Sequence, residues 1–223
     1  MLPDRVYHLA EAANWPLIER DGLLCASRLM KASGLADSDR NRLERFQRTE
    51  HVELPNKVQI RDQRPLPASA LQKCLVGISP SQWYAAITSA TINARVFFWL
   101  DTKRLNQQRA GCEPRPQVVL TVDTQALVKA HAPQIAVTPI NTGNARRRPA
   151  RRGRASFVPL AEWLSSNWAG EAAALGTPMR KTSRRPVELT VLDAVPDIVR
   201  FVVDVSALKP GESFAAPVGS PSS

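Results

Sequence analysis

Arg185-Pro186-Val187-Glu188-Leu189-Thr190-Val191-Leu192, continued by Asp193-Ala194-Val195-Pro196-Asp197-Ile198-Val199-Arg200-Phe201-Val202-Val203-Asp204-Val205, is the stretch whose reading decides the fold. Two β-rich runs flank Asp193, a turn former, and Pro196, which can open one short helical turn. Side chains alternate along a strand, so Val187, Leu189 and Val191 share one face of the first run and Glu188 and Thr190 the other. A carboxylate is thereby fixed on a rigid strand, just after the basic stretch Arg180-Lys181-Thr182-Ser183-Arg184-Arg185. Alone, such a glutamate reads as a solvated edge residue. Its company along the chain changes that reading.

Upstream, 6–9 reads as a strand, and Trp15-Pro16 opens a helix that Gly22 caps. Helices are expected around 27–32 and 39–48, the second with an arginine-crowded surface face that includes Arg48. The proline-bearing segment 50–67 reads as a surface loop with one short strand at 57–60. Helices at 71–76 and 80–90 precede the aromatic strand Arg95-Val96-Phe97-Phe98-Trp99-Leu100. A helix to about 108, a strand at 117–122, a helix at 124–131 and a strand at 134–139 follow. Beyond the turn Asn141-Thr142-Gly143-Asn144 come an arginine-rich loop, a helix at 160–168, a loop at 169–183 and the terminal strand pair. One domain over 1–205 and a disordered Pro/Ser/Gly tail over 206–223 complete the expectation.

Hydrophobic residues at 43% and charged residues at 22% describe an ordinary globular chain, long enough for a sizeable core. No apolar run approaches the ~20 residues of a membrane span, and Met1-Leu2-Pro3-Asp4-Arg5 opens no signal peptide. Cys25, Cys74 and Cys112 are widely spaced and odd in number, so reduced thiols and a cytoplasmic location are expected. Lys and Arg number 30 against 20 Asp and Glu, a net charge of +10. The excess is concentrated in Arg146, Arg147, Arg148, Arg151, Arg152 and Arg154, and again in Arg180, Lys181, Arg184 and Arg185. Such clusters are the footprint of a polyanion, most simply nucleic acid, or else a solvated loop. No phosphate loop, GxGxxG or GxSxG is present, and neither histidines nor cysteines have metal-ligand spacing.

Tyr7-His8-Leu9, Asn14-Trp15-Pro16-Leu17-Ile18 and Gly22-Leu23-Leu24 resemble the opening of DarT-type ADP-ribosyltransferases. The likeness continues at Arg95-Val96-Phe97-Phe98-Trp99 and at Val187-Glu188-Leu189-Thr190-Val191 with Val195-Pro196-Asp197-Ile198. The whole set, with Pro139-Ile140-Asn141-Thr142-Gly143-Asn144, resembles a bacterial family of DarT-related proteins. This resemblance implies an α+β, ADP-ribosyltransferase-like fold in which two small mixed β-sheets form an NAD cleft with helices outside. NAD is then a substrate. His8, with Tyr7 and Leu9, takes the place of the histidine strand that contacts the adenine-side ribose. Phe98 or Trp99 takes that of the aromatic packed on nicotinamide, and Glu188 that of the glutamate beside the scissile bond. The tyrosine common in the family's middle strand is missing here. Arg28 and Arg95 are diphosphate candidates by position.

The chemistry suits these residue types. Cleaving the nicotinamide–ribose bond develops positive, oxocarbenium-like charge on the sugar, which a fixed carboxylate stabilises. A neutral imidazole can hold ribose hydroxyls without a competing charge, and guanidinium forks suit a diphosphate. The expected function is mono-ADP-ribosyl transfer to nucleic acid, DNA ahead of RNA, with an antitoxin protein as a candidate partner. The alternatives are a non-catalytic nucleic-acid-binding module on a degenerate transferase fold and an RNA 2′-phosphotransferase-like enzyme, against which Glu188 counts.

Overall fold

The computed structural model describes residues 1–85, 91–146 and 149–216. The first part runs through β1 (Arg5–Glu11), α1 (Trp15–Asp21), β2 (Leu23–Leu24), α2 (Ala26–Ala32) and α3 (Asp37–Arg45). The small hairpin β3 (Val52–Glu53) and β4 (Gln59–Ile60) and the short helices α4 (Ala68–Gln72) and α5 (Pro80–Tyr84) follow. Next come β5 (Arg95–Trp99), α6 (Thr102–Ala110), β6 (Gln117–Asp123), α7 (Thr124–His131) and β7 (Ile135–Thr138). The chain continues through β8 (Val158–Pro159), α8 (Leu160–Ser166), α9 (Ala169–Leu175), β9 (Glu188–Leu192), β10 (Ala194–Val195) and β11 (Val202–Leu208).

Local chemistry sets several boundaries. Asp101 and Asp123 accept the Arg104 and Ala126 amides and so cap α6 and α7. Ser79 and Gln82 form a reciprocal capping box on α5, with Pro80 in its first turn. Gly22 ends α1 at φ 82°, and a Cβ there would lie 2.4 Å from Pro196 Cα and 2.5 Å from Val195 O. Only glycine meets both demands. The strand after it, β2, pairs with β10, and the Cys25 amide donates to Asp193 O at 2.9 Å. The opening and closing sequence blocks are therefore packed together.

One seven-stranded sheet, in the order β11-β6-β1-β5-β9-β7-β8, carries the fold. Its pairings are antiparallel. β1 and β6 are in register along seven residue pairs, whereas β1 and β5 share only Tyr7↔Trp99. The expected α+β architecture is present, with one antiparallel sheet in place of two mixed ones; its halves β11-β6-β1 and β5-β9-β7-β8 are joined only at that pair. On one face, Val96, Phe98, Leu189, Val191 and Val137 enter the main core with Trp163 and Trp168. On the other, cross-strand rows set Trp99 beside Glu188 and Thr138, and Phe97 beside Thr190 and Ala136.

Four further expectations are corrected. The segment 169–183 is not all loop: Ala169–Leu175 is helical, closed by Gly176 at φ 59°, as its alanines and that glycine permit. The terminal strands do not pair with each other, since β9 lies between β5 and β7 while β11 pairs with β6. Helix α3 stops at Arg45, and Arg48 is buried rather than on a surface face. The tail does not begin at 206: residues up to Leu208 extend β11, and Phe214 is buried against the core that holds Leu105 and Val119. Asn106 clamps the Phe214 backbone from both sides, its Nδ2 donating to the carbonyl at 2.9 Å and its Oδ1 accepting from the amide at 2.8 Å. Residues 217–223 and 86–90 lie outside the described residues.

Phe214→Ala should cost about 3 kcal/mol of folding stability, the usual range for emptying a core aromatic site. Urea denaturation measures it, and a loss below about 0.5 kcal/mol would mean that the segment after β11 does not pack as described.

Candidate active site

Past Tyr7↔Trp99 the strands β1 and β5 separate, and the cleft opens between them. His8, Leu9, Ala10 and Glu11 line one wall, and Arg95, Val96, Phe97 and Trp99 the other. The cavity is about 410 Å³, within the range of small-molecule and cofactor sites, ~300–1,000 Å³. His8 holds the fork. Its Nδ1 lies 2.8 Å from the Phe97 carbonyl. A carbonyl only accepts, so Nδ1 carries the hydrogen and Nε2 is left as an acceptor. Burial pushes the imidazole down to about 4, so the ring is neutral at physiological pH.

Glu188 is 3% exposed and still reaches the cleft. The turn after β7 wraps it. Thr142 Oγ1 donates to Oε2 at 2.8 Å, the Thr142 amide lies 3.2 Å from Oε2 and 3.3 Å from Oε1, and Thr138 Oγ1 is 3.0 Å from Oε2. Oε2 is thus crowded, while Oε1 keeps acceptor capacity for a ligand. Burial raises the carboxyl to about 7 against the pull of the Thr142 hydroxyl and amide and the Arg152 charge.

The turn is itself tied down from behind. Arg152 is 2% exposed and spends its guanidinium on the carbonyls of Ala150, Thr142 and Asn144, at 3.1, 3.1 and 2.9 Å. Its backbone also bridges to residues 74–76. Arg152 is therefore a buried scaffold for the Glu188 turn, a correction to its expected place among phosphate-binding arginines.

The other predicted residues divide. His8, Leu9, Arg95, Trp99 and Glu188 line the cleft. Arg95 donates to Thr190 Oγ1 at 3.0 Å and lies 5.0 Å from the centroid of Phe157. Phe98 is fully buried on the opposite, core face, because strand alternation sends Phe97 and Trp99 one way and Phe98 the other. Tyr7 packs edge-on against Phe214, and Arg28 forks onto Asp193 at 2.7 and 2.5 Å, so neither reaches the cleft. Arg180 forks onto the buried Glu171 at 2.9 and 2.7 Å. Arg146, Arg151, Arg154, Lys181, Arg184 and Arg185 are exposed, whereas Arg147 and Arg148 lie outside the described residues.

Sequence reading missed three cleft-lining residues: Arg48, expected on the surface face of a helix, and Arg61 and Gln63, from the segment expected to be a surface loop. Asn14 pins that segment by bonding both backbone groups of Gln59, at 2.7 and 2.9 Å. Arg48 Nη2 and Gln63 Nε2 both donate to Asn93 Oδ1 at 3.2 Å. The buried Nε of Arg61 has no hydrogen-bond partner among the described residues. The signal was local: Gln47, Arg48, Arg61, Asp62 and Gln63 are a dense polar group around a short strand. Among the described residues no group of three or more His, Cys, Asp or Glu side chains could hold a metal ion, and no helix is long and apolar enough to cross a membrane.

Residues 4–202 match the profile of a family described as a family of unknown function, DUF7002. The chain belongs to that family. Curated proteins provide no match. Among solved structures, the chain is similar to Thermus sp. 2.9 DarT in complex with NAD+, at 15% identity and a TM-score of 0.38, covering 91% of this chain and 81% of that one. It is also similar to Thermus sp. 2.9 DarT in complex with ADP-ribosylated ssDNA, at 16% identity and a TM-score of 0.36, covering 87% and 77%.

Glu188 links folding to pH. Its folded pKa lies above its ordinary value, so its contribution to stability is full below about 4.5 and is lost as pH rises through about 7. Glu188→Gln cannot ionise. Wild type should lose up to about 1.4 kcal/mol per pH unit relative to this variant within that window. Urea denaturation across pH 4–8 tests this, and parallel stability curves would contradict the buried-acid assignment.

Proposed function

We propose that this chain is an NAD-dependent mono-ADP-ribosyltransferase acting on nucleic acid, DNA ahead of RNA, with Glu188 as the transition-state carboxylate. The observation that carries the reading is Glu188 itself: buried, fixed on β9 and lining the cleft, with Oε2 engaged by two threonine hydroxyls and Oε1 met, among the described residues, only by the Thr142 amide at 3.3 Å. The residues around it fit a dinucleotide. The unpartnered Arg61 Nε suits a diphosphate oxygen, the neutral His8 offers Nε2 to a ribose hydroxyl, and Trp99 or Phe97 offers a ring to nicotinamide. The α+β fold with its cleft is the arrangement that the family resemblance implies.

NAD supplies a sugar carbon whose bond to nicotinamide breaks with growing positive charge. Oε1 of Glu188 would accept a ribose hydroxyl and set negative charge beside that carbon. Thr142 and Arg152 keep the carboxyl in place, so little reorganisation is needed as charge develops.

The acceptor strand would lie in a second cavity of about 780 Å³, lined by Arg104, Arg180, Lys181, Arg184 and Arg185 and by Pro186, two residues before Glu188. Arg104 lines both cavities, so groove and cleft adjoin. Phosphate contacts there would give affinity with little sequence choice. The reading carries with it a cytoplasmic setting and an antitoxin as a candidate protein partner. One observation favours the second reading, a non-catalytic binding module: the bonds to Glu188 also anchor the turn at 139–144, a task that needs no catalysis.

Labelled NAD incubated with single-stranded DNA, duplex DNA, RNA and protein tests the reaction. Glu188→Gln should lower transfer by roughly 10²-fold or more while NAD still binds. Undiminished transfer would remove Glu188 from the mechanism, and absence of turnover in wild type would leave the binding module. Replacing the exposed Lys181 and Arg185 together by Gln should lower the slope of log affinity against log salt by about 1.4 on single strands and about 1.8 on duplex. An unchanged slope would take the nucleic acid out of the groove.

A further inference from the structure

Thr138 Oγ1 makes two contacts that one hydroxyl hydrogen cannot serve: 2.6 Å to the Ile140 carbonyl and 3.0 Å to Glu188 Oε2. A carbonyl only accepts, so the shorter contact takes the threonine's hydrogen. The side of Thr138 that faces Oε2 then presents lone pairs. A carboxylate would meet them oxygen to oxygen, with no hydrogen between. A hydrogen on Oε2 removes the repulsion and leaves that oxygen able to accept from Thr142 Oγ1 at 2.8 Å.

We propose that Thr138 is a positioning residue that accepts a proton carried on Glu188 Oε2, so that this site is built around the acid form of the glutamate. Ionisation breaks the Oε2–H bond and passes the proton to water, and because the Thr138 hydrogen stays on the Ile140 carbonyl the carboxylate loses this partner. Oε2 thus manages the proton, while Oε1 keeps acceptor capacity.

The surroundings agree. Among the described residues, the Glu188 carboxyl bonds only to Thr138 and Thr142. The nearby cation from the loop behind, Arg152, is engaged with carbonyls, and Arg184 donates to Pro139 O at 2.9 Å. From β5 the neighbouring side chain is Trp99. In the rest of the cleft, Arg95 is held by Thr190, Arg104 by Asp101, and Arg48 by the Leu43 carbonyl and Asn93. Glu11 pairs with Arg115 and Asp62 with Arg64, and His8 is neutral. Arg61 is the cation whose buried Nε has no hydrogen-bond partner among the described residues. Burial, which favours the uncharged acid, is the largest influence on Glu188.

The consequence for catalysis rests on the reading proposed above: transfer would increase as pH rises through neutrality and Glu188 becomes charged. The proton's position can be tested without turnover, by carbon NMR titration of the Glu188 side chain in the full chain. Thr138→Val removes the acceptor of the acid form and should lower the midpoint by about 0.7 pH unit, the worth of a net hydrogen bond of about 1 kcal/mol. Thr142→Val removes a donor to Oε2 and should raise it, and Thr138→Ser should restore the wild-type value. Thr138→Ala deletes the same hydroxyl and gives the same sign if valine disturbs packing. A midpoint raised by both Thr138→Val and Thr138→Ala would make Thr138 a donor to a carboxylate and overturn the proposal, as would an unchanged one. Midpoints that move as expected in a chain without NAD turnover would keep the proton assignment and defeat the enzymatic reading instead.

Discussion

The hydrogen bond from His8 to the Phe97 carbonyl marks the constraint on which the structure depends. Antiparallel strands that meet at Tyr7↔Trp99 would ordinarily continue pairing through the following residues. Here the imidazole takes a carbonyl at the fork, and the two strand segments become opposite walls of a cleft. In the row of that joining pair, Trp99 stands beside Glu188 and Thr138. The histidine and the glutamate, 180 positions apart in the chain, therefore belong to one cavity.

Placing an ionisable glutamate on that wall is costly unless its oxygens are met by donors. Thr142 supplies both a hydroxyl and an amide, and Arg152 holds the Thr142 and Asn144 carbonyls from the far side. This explains why arginines close in sequence have unrelated roles. Arg152 is enclosed and structural, whereas its neighbours Arg151 and Arg154 face solvent. Likewise, Arg180 is occupied by the buried Glu171, while Lys181 and Arg185 are exposed. Charge density in a sequence indicates a basic surface only after buried members have been set aside.

Strand alternation made the β9 face of Glu188 legible, and glycine chemistry did the same for the end of α1. The same alternation separated Phe98 from Trp99 in principle, but only the neighbouring strands decide which face is core. What could not be read were contacts made by polar side chains across long separations. The Asn14 clamp on Gln59 and the Arg48–Asn93–Gln63 cluster turn an apparent surface loop into a cleft wall. No local periodicity records such pairings. The order after β11 escaped for a similar reason, because a single Phe214 fixed by Asn106 has no pattern around it.

The most direct measurement is a crystal structure of the full chain with a non-hydrolysable NAD analogue. The account predicts a ribose hydroxyl within about 3 Å of Glu188 Oε1, with the diphosphate against Arg61 between the separated strands β1 and β5. A dinucleotide bound outside this cleft, or one lying in it with Glu188 Oε1 turned away from the sugar, would contradict it.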